Sequence, residues 1–249
     1  MRNYAKSNPE KPVIVSQQKK HVTEDVSLVS PIKDAGLNYR KEEGKLLPKS
    51  FFVIVSGGEK TERLYFKIIA NSDRFQRIKI EFIADPAKLN PIGLLETASY
   101  KQEHYKTSQT DKPDEIYIVS DVDHFVNELL KIKPECEKLN IYLIISNSCF
   151  EVWLYYAYFN EIKGFKAPEN ILKISKHFRQ WMPHSINPTT AIFNIQINIT
   201  NAKVNYTEDS NGIPTLFSTN MFILAESLLP FIQDELQKMI EENKKKMKL

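Results

Sequence analysis

Ile116-Tyr117-Ile118-Val119-Ser120-Asp121-Val122-Asp123 is an apolar run that stops at two carboxylates one residue apart. A short, unbroken apolar stretch is what a strand covered on both faces requires. Its abrupt end puts negative charge at the rim of a sheet. Successive side chains of a strand point to opposite faces, so residues i and i+2 share one. Asp121 and Asp123 therefore aim at one point if strand geometry continues for two more residues. Carboxylates that close repel unless a cation lies between them. Oxygen ligands suit Mg²⁺ or Mn²⁺, which makes the pair candidate metal ligands. A turn or helix cap also places Asp after a strand, but the pair is harder to explain that way than either residue alone.

Outward from this run the chain alternates between strand and helix patterns. Phe51 to Val55 is another continuous apolar run, broken by Ser56-Gly57-Gly58, and the folded body should begin at Phe51. Thr61 to Ala70 follows, with Leu64, Tyr65, Ile68 and Ile69 at helical spacing. Lys79 to Ile83 is a strand candidate, and Gly93 to Lys106 reads as a helix with Pro91 just before it. Phe125 to Leu139 reads as a helix bent at Pro134, Ile141 to Ile145 as a strand, and Phe150 to Phe159 as an apolar, aromatic helix. This alternation predicts an α/β fold with a mainly parallel sheet flanked by helices. Ligands of such sheets bind beyond the carboxyl ends of the strands. Three strands end in chemically unusual sequence there: Gly57 to Glu62, Asp121 to His124, and Ser146 to Glu151.

Past residue 165 the pattern is mostly helical. Asn170 to Trp181 and Thr219 to Lys248 read as helices, while the alternation of Ile192 to Ile199 predicts a strand with one buried face, with a helix as the alternative. Residues 1–49 are polar, contain four prolines and read as an irregular basic leader. They precede a body over 50–249, divided into a core of about 50–160 and an extension of about 161–249.

The 249 residues carry a net charge of +3, and 42% of them are hydrophobic. Residues 1–50 hold 10 Lys and Arg against 6 Asp and Glu, leaving 24 against 25 for the remainder. The basic excess thus lies in the leader, with a further lysine run at 244–248. Such tails are commonly just solvated, although they can assist non-specific nucleic-acid binding. The body does not grip DNA by sheer positive charge. No apolar run approaches membrane-spanning length, and the polar N-terminal sequence does not read as a signal peptide. Two cysteines, Cys136 and Cys149, exclude a disulfide framework and a Cys-rich zinc site. Both read as ordinary buried thiols, and a cytoplasmic protein is the default expectation.

Gly57-Gly58 lets the backbone turn sharply and allows a phosphate or metal to approach. The segment lacks the spacing of a phosphate-binding P-loop. Thr61 fits a helix N-cap. Glu59 and Glu62 stand where a helix begins, a position that favours negative charge on its own account. Ser120 and His124 flank the aspartate pair; a lone His there is commonly a plain surface residue. Asn147 and Glu151 share one helix face if the helix starts that early. The aromatics Phe150, Trp153, Tyr155 and Tyr156 read as core in preference to a base-stacking surface.

Three segments occurring in order carry a resemblance. They are Val55-Ser-Gly-Gly-Glu-Lys-Thr-Glu62 with Tyr65-Phe66, Ser120-Asp-Val-Asp-His124, and Ser146-Asn-Ser-Cys-Phe-Glu-Val-Trp-Leu154. Together they resemble the RloB-like family of Toprim-related proteins, over roughly residues 50–160, with a weaker echo at Ser218-Thr219-Asn220. The third segment is the most specific. The resemblance implies a Toprim-like core, metal-dependent phosphodiester chemistry, and a role in prokaryotic defence against phage or foreign DNA beside a partner ATPase of the AAA or ABC type. This chain departs from the family pattern, which has Glu at the position of Gly57, Pro at that of Ser148 and His at that of Ala157.

On this basis the leading expectation is a Mg²⁺- or Mn²⁺-dependent nuclease acting on DNA or RNA in an abortive-infection system. Asp121, Asp123 and Glu62 would hold the metal. Lys60 would offset phosphate charge, and Glu59, Glu62 or Glu151 would assist proton transfer. Ser120, His124 and Asn147 are secondary candidates. The competing expectation is a catalytically degenerate regulatory or nucleic-acid-binding subunit. The sequence leaves the oligomeric state open, a homo-oligomer included.

Overall fold

Three largely apolar runs and the alternating run Ile78-Lys-Ile-Glu-Phe82 are paired as one parallel sheet in a computed structural model. It describes residues 39–42, 45–48, 52–58, 60–75, 77–107 and 113–246. Two short strands, β1 (Tyr39–Glu42) and β2 (Lys45–Pro48), form an antiparallel pair within the stretch expected to be irregular. The main sheet follows: β3 (Phe52–Ser56), α1 (Thr61–Ala70), β4 (Ile78–Phe82), α2 (Pro91–Thr107), β5 (Glu115–Asp121), α3 (Val126–Leu139) and β6 (Tyr142–Ser146). Its order is β4-β3-β5-β6, with every neighbour parallel. Asn38–Leu249 form one compact unit.

Alternation along the strands divides the core in two. Phe52, Ile54, Tyr117, Val119 and Ile144 face one layer, and Val53, Val55, Ile116, Ile118 and Ile145 face the other. The second layer is closed by α2 and α3 through Leu94, Ala98, Leu129 and Ile132. The first is closed by α1, by α4 (Glu151–Tyr156), and by four helices of the C-terminal segment. Of these, α6 (Pro188–Ala191) follows α5 (Ile174–Trp181), and α7 (Ile195–Val204) and α8 (Met221–Lys246) come after it. Helices on both faces are why β3, β5 and β6 read as continuous apolar runs, whereas the edge strand β4 alternates. Phe150, Trp153, Tyr155 and Tyr156 are all buried, so the aromatic cluster is core. Both cysteines are free and buried. Among the described residues no helix is long and apolar enough to cross a membrane.

The strand expected over Ile192–Ile199 is helix instead. Asn187 caps the preceding turn by accepting from the Thr189 N–H, and Pro188 occupies its first helical position. The chain then runs on through a 3₁₀ turn into α7. Ile192, Ile195, Ile199 and Ala202 are the buried set, at helical spacing, while Ile197 is half exposed.

The segment Ser218-Thr219-Asn220 lies along the edge strand β6. Asn220 Oδ1 accepts from the Ile145 N–H, its Nδ2 donates to Leu143 O at 3.2 Å, and the Ser146 and Thr219 hydroxyls meet at 2.8 Å. These bonds cover backbone groups that an open sheet edge would leave unpaired.

Candidate functional site

The strand order fixes where a site must lie. From β3 the chain moves through α1 to β4 on one side, then through α2 back across to β5 on the other. The connections diverge between β3 and β5, which opens a crevice beyond their carboxyl ends. A cavity of about 430 Å³ opens there, lined by Gly57, Gly58, Lys60, Thr61 and Glu62 from the β3–α1 turn. Ser120, Asp121 and Asp123 line it from the end of β5, with Glu151 from the start of α4 and Arg179 from α5.

Asp121 is the last residue of β5 and Asp123 lies just beyond it. The strand geometry does not continue through both. The Val122 N–H still donates to Ser146 O at 2.9 Å, but Asp123 takes a left-handed backbone (φ 29°) and its N–H donates to Ser148 O at 3.1 Å. A short polar side chain tolerates that region better than most. The two aspartates therefore reach the same cavity by a turn and not by shared strand parity. The Ser175 hydroxyl donates to Asp123 Oδ1 at 3.2 Å, and His124 Nδ1 lies 3.3 Å from its Oδ2. Asp121 Oδ2 is 3.9 Å from Arg179 Nη2, whereas its Oδ1 is buried without a hydrogen-bond partner among the described residues.

Glu151 is 7% exposed, and both its oxygens are engaged. Oε1 accepts from the Thr61 hydroxyl at 2.8 Å, and Oε2 accepts from Arg179 Nε at 3.1 Å. Thr61 is therefore not the N-cap of α1; Lys60 holds that position, and Thr61 spends its hydroxyl on the site. These two bonds make Glu151 a residue that positions Thr61 and Arg179.

Several carboxyl groups share this cavity, and their protonation reflects it. Burial, followed by the charges of Glu62 and Glu151, pushes Asp121 well above the usual carboxylate range, against the pull of Arg179. Burial also pushes Glu62 up to about 7; its own backbone N–H and Arg179 oppose this, and Glu151 adds to it. Burial is the largest single influence and works against the charge of Arg179, but Glu151, Cys149 and Asp121 together outweigh it and hold the guanidinium protonated. Arg179 is thus the cation this acidic rim already contains. Nothing in the local sequence separates Arg179 from the other basic residues of its helix, and the sequence reading passed over both it and Ser175.

The remaining candidates divide. Ser120 lines the cavity, buried, with its hydroxyl 3.2 Å from Asp121 O. Lys60 is exposed at the mouth, and His124 is exposed and packed on Phe125 with ring centroids 4.0 Å apart. Asn147 is not brought to the site. Helix α4 starts at Glu151, so the two do not share a helix face, and Asn147 Nδ2 donates to Pro214 O at 2.7 Å. Glu59 lies outside the described residues. At Gly57 a Cβ would stand 2.9 Å from Leu89 O, so the loop before α2 occupies the space a side chain would need.

Among the described residues no three Asp, Glu, His or Cys side chains form a ready-made metal-ligand cluster. The donor set nevertheless fits a hard divalent cation. It offers carboxylate oxygens only, Asp121 Oδ1 is buried and unpartnered, and the electrostatic strain on Asp121 and Glu62 is of the kind a cation relieves.

Comparison with known proteins adds one match. A family model described as RloB-like protein matches residues 52–228, which spans the whole sheet, the site and most of the C-terminal segment. No curated protein and no solved structure matches the chain.

Proposed function

The chain belongs to the RloB-like family, and we propose that it is a metal-dependent nuclease of a prokaryotic anti-phage system working with a partner ATPase. The observation that carries the chemistry is the carboxylate-lined cavity at the switch point of the sheet, where Asp121 keeps a buried oxygen unpartnered. Asp121, Asp123 and Glu62 would hold Mg²⁺ or Mn²⁺, which when bound would polarise a phosphodiester and stabilise the attacking and leaving oxygens.

The chain's own groups suit that task. Ser175 and His124 fix the Asp123 carboxylate from both sides, so it presents a defined orientation. Glu62 is a candidate for proton transfer as well as for the metal; without a cation, burial raises its carboxyl to about 7. Lys60, exposed at the mouth, offsets phosphate charge, and Glu59 remains the second candidate for proton transfer on the same turn. The ATPase partner and the defence role rest on the family resemblance.

The closure of Gly57 by Leu89 O favours a second reading. If the carboxylate that the family pattern has at that position is indispensable, the domain is a regulatory or nucleic-acid-binding subunit. Incubation of the purified chain with DNA and RNA in Mg²⁺ or Mn²⁺ separates the two. Cleavage by the native chain that disappears in Asp121→Ala and Asp123→Ala supports the nuclease. Cleavage surviving both substitutions excludes this site, and cation-dependent binding without cleavage supports the second reading.

A further inference from the structure

One helix from outside the Toprim-like core lays a face across both aspartates. Ser175 and Arg179 are four residues apart on α5 and so lie on the same side of it. Ser175 addresses Asp123, and Arg179 addresses Asp121 and Glu151. The helix is held in place by its other side. Phe178 is fully buried, with ring centroids 5.6 Å from Phe165 and 5.1 Å from Phe217, and Trp181 stacks on Tyr155 at 5.6 Å. The Arg179 side chain is 45% exposed, although it reaches a buried acid. Its Nε is committed to Glu151. Its Nη2 stands 3.9 Å from Asp121 Oδ2, beyond hydrogen-bond distance, and the residue lines the cavity.

We propose that Arg179 is the phosphate-binding residue of this site, held by Glu151 through Nε so that its Nη fork faces the cavity and receives a phosphodiester oxygen pair. The proposal rests on the nucleic-acid reading above. A guanidinium anchored at one nitrogen keeps two parallel donors in a plane, the geometry that matches two phosphate oxygens. It is pre-oriented by the Thr61–Glu151–Arg179 chain, so little side-chain freedom is lost when the anion arrives. Were Asp121 to hold a cation, its weak attraction for Nη2 would be offset, leaving the fork to the phosphate. The C-terminal extension thereby completes a site whose acids all come from the core.

The test uses the full chain with fluorescein-labelled DNA and RNA oligonucleotides and a methylphosphonate DNA of the same sequence, read by anisotropy in Ca²⁺. Mn²⁺ affinity is measured in parallel by calorimetry. Loss of a charge-assisted bidentate contact predicts that Arg179→Gln weakens phosphodiester binding about ten- to a hundredfold. It also lowers the salt dependence by about one phosphate contact. Arg179→Lys, which keeps the charge opposite Glu151 and so protects the fold, recovers part of the affinity. Binding of the uncharged methylphosphonate is the same in native and variant chains, and Mn²⁺ affinity does not fall, because a positive charge near Asp121 has been removed. Equal phosphodiester binding by Arg179→Gln and the native chain overturns the proposal and leaves the nuclease reading standing. A variant that loses Mn²⁺ as well as oligonucleotide overturns it in favour of a structural role. Native protein that binds neither oligonucleotide overturns the nucleic-acid reading and this proposal together.

Discussion

Glu62→Gln should stabilise this protein above neutral pH while weakening its hold on divalent cations. Glu62 sits half-buried in the first turn of α1, with Asp121 and Glu151 as neighbouring acids and Arg179 as the neighbouring cation. Burial first, and then Glu151, raise its carboxyl from an ordinary value of 4.5 to about 7. Between those values the folded chain keeps a proton that the unfolded chain has released. The stabilisation from the neutral carboxyl is therefore complete below pH 4.5 and is lost as pH rises through about 7. At about 1.4 kcal/mol per tenfold change in proton affinity, the displacement corresponds to about 3 kcal/mol lost by pH 8. Glutamine keeps the shape and never ionises, so the variant escapes that loss; it also removes one of the charges that burden Asp121. Urea unfolding in EDTA at pH 5 to 8 measures this directly. Native and Glu62→Gln curves should differ by less than about 1 kcal/mol at pH 5 and by up to about 3 kcal/mol at pH 8, with the variant the more stable. Adding Mg²⁺ or Mn²⁺ at pH 8 should restore the native chain far more than the variant, since a ligand of the folded state stabilises in proportion to its occupancy. Parallel curves across the whole pH range would refute the argument that this carboxyl is forced into a buried, like-charged environment.

Asp121→Asn should abolish metal-dependent cleavage without lowering the melting temperature, because burial and the neighbouring acids already disfavour the charge it removes; cleavage and thermal melting of the same preparation check both halves. Gly57→Glu should cost about 1–3 kcal/mol in urea unfolding, the usual range for overpacking, because its Cβ meets Leu89 O at 2.9 Å. If cleavage rises sharply in spite of that cost, the native site is a degenerate one. Asn147→Ala should lower stability by about 1–2 kcal/mol through the lost bond to Pro214 O, with Mn²⁺ affinity unchanged. A fall in Mn²⁺ affinity would return Asn147 to the site.

The local sequence was most informative where burial left little choice. Val53-Ile54-Val55 and Ile116 to Val119 can be apolar on both faces only inside a covered sheet, so the parallel strands and the rim where they end could be read from the chain itself. Ile192 to Ile199 misled because apolar side chains at every other place from Phe193 to Ile199 satisfy a period of two as well as a helical stripe over so short a run. Asn187-Pro188 carried the deciding cap, one turn upstream.

The sequence by itself determined the α/β layering, the acids at the ends of β3, β5 and β6, and the family, because each depends on residues close together in the chain. Only the tertiary structure decided which of those acids meet. It turned Asp123 into the cavity through a left-handed residue, gave Asn147 to Pro214, and brought Thr61 and Arg179 onto Glu151. Arg179 is the clearest case. On its helix it is one more basic residue, and it acquires a role only because packing of Phe178 and Trp181 carries that helix over the sheet rim. Charge on a side chain is local, but the partner that gives it a function is fixed by the fold.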